Sequence, residues 1–285
     1  RAAFYSFLPV GLSRQPPEGG FCIVVMKLRP YQNESVQLLR DGFLTHKRQL
    51  LVLPTGAGKT VVFSEMIKLA YNKGTTVLCV TDRIELCNQT LKAISHHNIT
   101  PQILNAETKI FYPHAQITLA MCETLKRRMK KWSPGYYNPQ LIILDESHKN
   151  SFNKIIDTFP DSKVIGATAT PKSKFLHKYY TNICNNIDIQ QLVDQGYLCK
   201  CQAFMMRDNF DEVKISHGEY DENALFKHFN KTTLYKGVVE KYKEKTPGQK
   251  ALVFNVNIDH SEKMTAEFNN AGIDSKCVTS KTPPE

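Results

Sequence analysis

The stretch Leu50-Leu51-Val52-Leu53-Pro54-Thr55-Gly56-Ala57-Gly58-Lys59-Thr60 decides the fold of this 285-residue chain. An apolar run ends at Leu53, a glycine-containing loop follows, and a helical pattern begins near Val61. Gly56 and Gly58 permit positive φ, so backbone N–H groups can close around phosphate oxygens. The start of the helix adds a partial positive charge. The pattern predicts a phosphate-binding loop made of residues 54–60, although its strict form has a glycine at position 53.

Within this predicted loop the side chains have separate tasks. The ammonium of Lys59 reaches the β- and γ-phosphates of ATP, and the hydroxyl of Thr60 binds Mg²⁺. The residues predicted to contact the nucleotide here are Pro54, Thr55, Gly56, Ala57, Gly58, Lys59 and Thr60. A chance glycine-rich turn is the alternative, and the strand-then-helix setting argues against it.

Two adjacent carboxylates follow a second apolar run. Asp145-Glu146-Ser147-His148 comes directly after Leu141–Leu144. A strand end beside a phosphate loop is where a metal-holding carboxylate belongs, so Asp145 is predicted to hold Mg²⁺, through water. Glu146 is predicted to orient and deprotonate the attacking water. The alternative is a solvated acidic turn, which is common for an isolated Asp-Glu pair.

Short apolar runs alternate with helical patterns along the chain. The predicted strands are 49–53, 75–80, 117–121, 141–144, 163–167 and 250–254, and the predicted helices are 32–39, 61–70, 83–95, 122–131, 151–159, 234–245 and 261–270. Unbroken apolar strands separated by helices are typical of a parallel sheet covered on both faces. The predicted fold class is α/β.

Composition narrows the class of protein. The length suggests about two domains, and 41% hydrophobic with 22% charged residues excludes a disordered or fibrous chain. The longest apolar run, 21–26, is too short for a membrane helix. A net charge of +10 suits a polyanionic partner but also fits many enzymes. Eight scattered cysteines without a Cys-x-x-Cys pair favour neither a disulfide scaffold nor zinc, and indicate a reducing, cytoplasmic compartment.

With these motifs in place, the chain resembles a superfamily 2 helicase of the DEAD/DEAH-box group. Residues 55–60 are similar to that superfamily's motif I, which lacks the first glycine, and residues 145–148 read DESH, a variant of motif II. Residues 166–171 match motif III, 28–32 the Q-motif, 81–86 motif Ia and 118–125 motif Ib. The implied fold is a RecA-like P-loop domain.

The resemblance assigns further roles. Gln32 would contact the adenine edge of ATP, and Arg29 would lie close to the base. His148, Thr168 and Thr170 would couple the ATP site to nucleic acid. Nucleic-acid contacts would come from Arg83, Thr124, Lys126, Arg127 and Arg128.

The order of motifs, ending with Leu192-Val193-Asp194-Gln195-Gly196-Tyr197-Leu198, is similar to XPB-like repair translocases and restriction-enzyme motor subunits. That branch acts mostly on duplex DNA. The implied activity is a DNA-stimulated ATPase that moves on or unwinds DNA. Two alternatives stay open: an RNA helicase of the same superfamily, and a non-catalytic subunit of a restriction or repair complex that uses ATP binding as a switch. The sequence does not predict the oligomeric state.

The predicted domain organisation follows these motifs. Residues 1–25 are a leader or non-native extension (a signal peptide is the weaker alternative), 26–200 the ATP-binding domain, 201–230 a connection, and 231–285 an incomplete second RecA-like domain. Val253–Val256 resembles motif IV. Because no arginine follows Arg207, the family's arginine finger is absent, so we expect a truncated chain of very low activity.

The densest basic cluster is Lys126-Arg127-Arg128-Met129-Lys130-Lys131-Trp132. It has two interpretations. The functional one is contact with phosphates, with Trp132 as a stacking residue. The alternative is a solvated helix end, where basic side chains favour the dipole.

Overall fold

A computed structural model describes residues 3–5, 27–172, 176–205, 215–216 and 219–283 of the chain. Most of the predicted leader, residues 1–25, lies outside the described residues. The strands of the described part of the chain are β1 (Ala3–Tyr5), β2 (Arg48–Val52), β3 (Val77–Thr81), β4 (Gln102–Leu104), β5 (Ile117–Met121), β6 (Leu141–Leu144), β7 (Lys163–Thr168), β8 (Asn182–Cys184), β9 (Ala203–Met205), β10 (Ile215–Ser216) and β11 (Glu219–Tyr220).

The helices follow the same chain order. They are α1 (Pro30–Gly42), α2 (Lys59–Tyr71), α3 (Ile84–Ser95), α4 (Cys122–Met129), α5 (Asn153–Thr158), α6 (Leu176–Tyr179), α7 (Ile189–Asp194), α8 (Glu222–Phe229), α9 (Thr232–Lys245) and α10 (Ile258–Asn270), with a 3₁₀ turn at Asn150–Phe152. None of the helices in the described part of the chain combines the length and the apolar character that a membrane span requires.

Contacts divide the chain into two compact units, Arg14–Leu198 and Arg1–Ser13 with Cys199–Glu285. In the first unit, seven of the described strands form one parallel sheet in the order β4-β5-β3-β6-β7-β2-β8. The register places Val80 opposite Leu144 and Val52 opposite Thr168. Because the strands are parallel, the loops after β2, β3, β5, β6 and β7 all leave from the same edge of the sheet. The candidate site described below lies at this carboxyl edge of the sheet.

Alternate residues of each strand face opposite sides, and both sides are buried. Leu51 belongs to a core shared with α1, α2 and α3, whereas Leu50 and Val52 belong to a core shared with α4, α5 and α6. Helices therefore cover both faces of the sheet, as the unbroken apolar strands predict. The predicted RecA-like α/β fold class is confirmed.

The second unit is described by itself. β1 pairs antiparallel with β9, and β10 pairs antiparallel with β11. A small core joins α9 to α10 through Tyr235, Val239, Tyr242, Met264 and Phe268. The division into an ATP-binding domain, a connection and a second RecA-like domain stays a prediction.

The predicted strand at 250–254 is wrong. The structure assigns no strand to residues 250–257, and the side chains of Leu252 and Phe254 are 85% and 92% exposed. A strand is stabilised by hydrogen bonds to a neighbouring strand, and none of the described residues pairs with this segment. An apolar run alone therefore does not make this segment a strand.

Four of the described cysteines are buried free thiols in the first unit, namely Cys79, Cys87, Cys122 and Cys184. Burial raises the pKa of each of them. A thiol that stays protonated is a poor nucleophile and a poor metal ligand, so these cysteines act as small apolar core residues.

Candidate nucleotide and nucleic-acid site

The predicted phosphate loop lies between β2 and α2, at the carboxyl edge of the sheet. Gly56 and Gly58 have φ angles of 84° and 81°, and Gly58 is the residue that precedes the first turn of α2. The N–H of Ala57 donates to the carbonyl of Pro54 at 3.1 Å, which closes the turn. Lys59 and Thr60 then occupy the first turn of the helix. This is the backbone geometry that the sequence predicts for phosphate binding.

Side chains from α1 hold this loop from behind. Tyr31 and Gln32 are buried, and both donate to the carbonyl of Ala57, from Oη at 2.8 Å and from Nε2 at 3.0 Å. The other end of the Gln32 amide, Oε1, accepts from the N–H of Arg29 at 2.9 Å and so caps α1. Both polar ends of Gln32 are thus used within the protein, and the contact with adenine that the family resemblance implies stays a prediction.

Arg29 lies beside an aromatic pair next to the same loop. Its guanidinium carbon is 4.7 Å from the centre of the Tyr197 ring, and Tyr31 meets Tyr197 edge to face at 5.4 Å. The side chain of Leu198 lies so close to Gly56 that a Cβ there would be 2.8 Å from Leu198 Cδ2. The segment that leaves α7 therefore packs against the phosphate loop.

The acidic pair follows β6, two strands away from β2 in the sheet. Asp145 is buried, and burial raises the pKa of its carboxyl group, as does the charge of Glu146. Two other groups lower that pKa. One is the N–H of Glu146, which donates to Asp145 Oδ1 at 3.0 Å, and the other is the charge of Lys59. A buried carboxylate that repels its neighbour is a suitable place for a cation, so Asp145 fits the predicted magnesium site. The role of Thr60, which lies in the first turn of α2, stays a prediction.

Glu146 itself has an unusual backbone. Its φ is 52°, in the left-handed region that residues with a Cβ rarely adopt. The N–H of Lys149 donates to its carbonyl at 3.2 Å and closes the turn. Backbone outliers of this kind are concentrated at functional sites.

A series of polar contacts connects Glu146 to the end of β7. Nδ1 of His148 is 3.3 Å from Glu146 Oε2 and 3.1 Å from Thr168 Oγ1. Thr168 is fully buried, and its hydroxyl accepts from the N–H of Thr170 at 3.0 Å. The structure thus brings the three predicted coupling residues, His148, Thr168 and Thr170, into one network with Glu146.

Ser147 anchors this loop to the same strand. Its N–H and its hydroxyl both donate to the carbonyl of Ala167, at 2.8 Å and 3.1 Å. The next residue back on β7, Gly166, must be glycine, because a Cβ there would lie 2.3–2.6 Å from the Tyr180 ring and hydroxyl. The serine of DESH is therefore a structural link between β6 and β7.

The predicted nucleic-acid residues fall into two groups. Arg83 and Thr124 lie directly after β3 and β5, which are neighbours in the sheet, so both are at the carboxyl edge. Lys126, Arg127 and Arg128 lie on the last turn of α4, which leads away from that edge. The role of both groups in binding nucleic acid stays a prediction.

Within the basic cluster the side chains differ. Lys126 pairs with Glu123 at 2.8 Å, and Arg128 donates to the carbonyl of Thr108. Arg127 is exposed, and no hydrogen bond or ion pair to a described residue holds its guanidinium. The Trp132 ring stacks on Phe111 at 4.7 Å and packs on the core, so it does not project as a free stacking residue.

Several contacts at this edge are not predicted by the sequence motifs. Tyr31 follows Arg29 in the Q-motif but receives no role from it, and Leu198 ends the segment that resembles the family. Lys149 follows the DESH motif directly and forms an ion pair with Asp82 in the loop after β3. Position within or next to a motif is the only signal of these roles in the sequence.

The chain is similar in sequence to several known proteins. The relatives include a 51.5 kDa protein of a Lactococcus phage, 28% identical over 81% of this chain, and the provisionally named ATP-dependent helicase IRC3 of Saccharomyces cerevisiae, 27% identical over 92% of this chain. The DNA 3'-5' translocase XPB2 of Sulfurisphaera tokodaii is 26% identical over 60% of this chain. The chain spans 48%, 42% and 37% of the lengths of these three proteins.

A family match covers the part of the chain that holds the site. Residues 25–173 match the family described as Type III restriction enzyme, res subunit, and this match spans just over half of the chain. It includes the phosphate loop, the DESH motif and the end of β7. The chain belongs to the ResIII family, the family of the res subunit of type III restriction enzymes.

Proposed function

We propose that the protein is an ATP-driven motor on nucleic acid, a helicase or translocase, and that duplex DNA is its track. One observation carries the proposal: the network from Glu146 through His148 to Thr168 and Thr170 lies on the sheet edge that also bears the phosphate loop. A fixed carboxylate at this edge is what ATP hydrolysis requires. Hydroxyls on the next strand provide a route for the nucleotide state to reach other parts of the molecule.

In this proposal, different residues of the chain bind the phosphates, hold the metal and accept the proton. The loop at residues 54–60 binds the phosphates through backbone N–H groups, and Lys59 neutralises charge on the β- and γ-phosphates. Bound Mg²⁺, held by Thr60 and Asp145, supplies further neutralisation of phosphate charge. Glu146 accepts a proton from the attacking water, and His148 orients that carboxylate.

Charge supports a nucleic-acid partner, and the name of one relative supports DNA as that partner. The chain carries a net charge of +10, and Arg83 and Thr124 lie at the same edge as the ATP site. XPB2 is named a DNA translocase. An RNA track and a non-catalytic, ATP-switched subunit are the competing proposals.

The test compares rates of phosphate release by the protein at its full natural length, with duplex DNA, single-stranded DNA and RNA at saturation. We expect duplex DNA to give the largest stimulation. A larger stimulation by RNA would make the protein an RNA helicase, and an absence of turnover with any nucleic acid would favour the ATP-switched subunit.

We also propose that the 285-residue chain alone hydrolyses ATP very slowly. The sequence has no arginine after Arg207, and an arginine finger contributes about 10³–10⁵ in rate. A paired assay of this chain and the full-length protein, both with saturating duplex DNA, tests the point. Comparable turnover in the two would show that the chain itself carries every group that the reaction needs.

A further inference from the structure

An ion pair joins two loops at the carboxyl edge of the sheet. β3 and β6 are neighbours, and just beyond them Asp82 Oδ2 meets the ammonium of Lys149. The two side chains are 24% and 33% exposed, so solvent screens this pair less than it screens a pair on an open surface. The second carboxylate oxygen, Asp82 Oδ1, is buried and has no hydrogen-bond partner among the described residues.

Each partner is tied to a residue with a proposed role. Lys149 donates its N–H to the carbonyl of Glu146, in the turn where Glu146 has its left-handed φ. Asp82 lies between Thr81 and Arg83, and the N–H of Arg83 donates to Thr81 Oγ1 at 3.4 Å. Through this pair, the loop that carries Arg83 is therefore connected to the turn that carries Glu146.

We propose that Asp82 and Lys149 are a positioning pair, through which nucleic acid bound at the loop after β3 sets the geometry of Glu146 for ATP hydrolysis. This inference rests on the proposed function. Neither residue touches the reacting atoms. When the loop of Arg83 is fixed by a phosphate backbone, Asp82 holds Lys149 and so holds the turn of Glu146. If either charge is removed, the other is left half-buried without a partner, and the two loops move independently.

The experiment reverses the pair in the full-length protein, as Asp82→Lys, Lys149→Asp and the two together. Phosphate release is measured with and without saturating duplex DNA, over a range of ATP concentrations. We expect each single change to lower the DNA-stimulated kcat about tenfold, within the usual range of coupling between sites. In the Lys149 variants the unstimulated rate and the KM for ATP are expected to stay within about twofold, because that side chain has no assigned role in binding ATP or activating water.

Two further variants distinguish a specific loss of stimulation from a loss of folding. Lys149→Arg keeps the charge and is expected to keep most of the stimulation, whereas Lys149→Met keeps the aliphatic stem and loses it. The matched control is the exposed pair of Lys47 and Asp161, 3.7 Å apart in the same unit. Its reversal is expected to leave the stimulation unchanged.

The outcomes separate the two proposals. Recovery of stimulation in the double reversal supports the positioning pair. Equal losses of stimulated and unstimulated rates, or unchanged stimulation in Lys149→Met, overturn it and leave the proposed function standing. A wild-type protein that duplex DNA does not stimulate contradicts the proposed function, and the inference falls with it.

Discussion

At the end of β6, Glu146 keeps a φ of 52° although its side chain has a Cβ. Such a conformation costs about 1–3 kcal/mol and persists only where the surroundings hold it. Here two hydrogen bonds hold the backbone of Glu146. Its N–H donates to the Asp145 carboxylate, and its carbonyl accepts from the N–H of Lys149. The backbone is thus fixed by neighbours and not by the Glu146 carboxylate, so that carboxylate can be changed without loss of the turn.

The first prediction uses the fact that the turn does not depend on the Glu146 carboxylate. Glu146→Gln in the full-length protein should bind Mg·ATP as the wild type does but hydrolyse it about 10²-fold more slowly or worse, because an amide cannot accept the proton of water. Binding of a fluorescent ATP analogue and phosphate release measure the two effects. Glu107→Gln, at an exposed position in the same unit, is the control. Turnover of Glu146→Gln within a few-fold of wild type would remove Glu146 from the role of base.

A second residue-scale prediction compares two glycines with positive φ. At Gly58 a Cβ would lie 2.6 Å from Gln32 Nε2, whereas at Gly74, with a φ of 70°, nothing lies within 4 Å. Gly74→Ala should cost about 1–2 kcal/mol of unfolding free energy for the left-handed backbone alone. Gly58→Ala should cost about 1 kcal/mol more, since Gln32 must give up its bond to Ala57. Denaturant unfolding measures both, and equal costs would argue against the Gln32 contact.

At the scale of elements, the long apolar strands are predictable and the contacts between motifs are not. β5 and β6 match their predicted bounds, and β2, β3 and β7 lie within two residues of theirs, because buried parallel strands are unbroken apolar runs. The three-residue edge strands β4 and β8 carry too few residues to show a pattern. The packing of Leu198 on Gly56 and the pairing of Asp82 with Lys149 depend on the sheet order, which local sequence does not encode.

The third prediction concerns the helices α8, α9 and α10. His260, in the first turn of α10, is buried among Phe226, Phe229 and Tyr235, with ring centres 5.3–6.3 Å from its own. Its Nδ1 accepts from the N–H of Val256 at 3.3 Å, which requires the neutral ring. Burial lowers the pKa of His260 below its ordinary value of 6.5. The charge of Asp259 raises this pKa, and the charge of Lys263 lowers it further.

Because the folded pKa lies below the unfolded one, the unfolded state binds more protons in the interval between the two. The stabilisation from neutral His260 is complete above pH 6.5 and is lost as the pH falls through the folded pKa. Hydrogen exchange of the α10 amides, corrected for intrinsic rates, should show weaker protection at pH 5 than at pH 7.5. His260→Gln keeps an acceptor and does not titrate, so it should remove this difference; an unchanged difference would contradict the assignment.

At the scale of the whole molecule, electrostatics sets the affinity for a polyanion. The chain carries 37 basic and 27 acidic residues, so nucleic-acid affinity should fall steeply with salt and show little dependence on sequence. Arg127→Glu should weaken binding more than Lys154→Glu, the same charge change at another exposed position, if the end of α4 contacts phosphates. Fluorescence anisotropy at several salt concentrations measures this. Equal effects would favour a solvated helix end.

The measurement that tests the central claim most directly is phosphate release by full-length wild type and Lys59→Ala, with and without saturating duplex DNA. Loss of the Lys59 ammonium leaves phosphate charge uncompensated at the start of α2, which costs several kcal/mol of binding, or about 10²-fold or more in rate. We expect DNA-stimulated turnover in the wild type and almost none in Lys59→Ala, with Lys68→Ala, farther along α2, as active as wild type. Stimulated turnover in Lys59→Ala equal to that of the wild type would contradict this expectation.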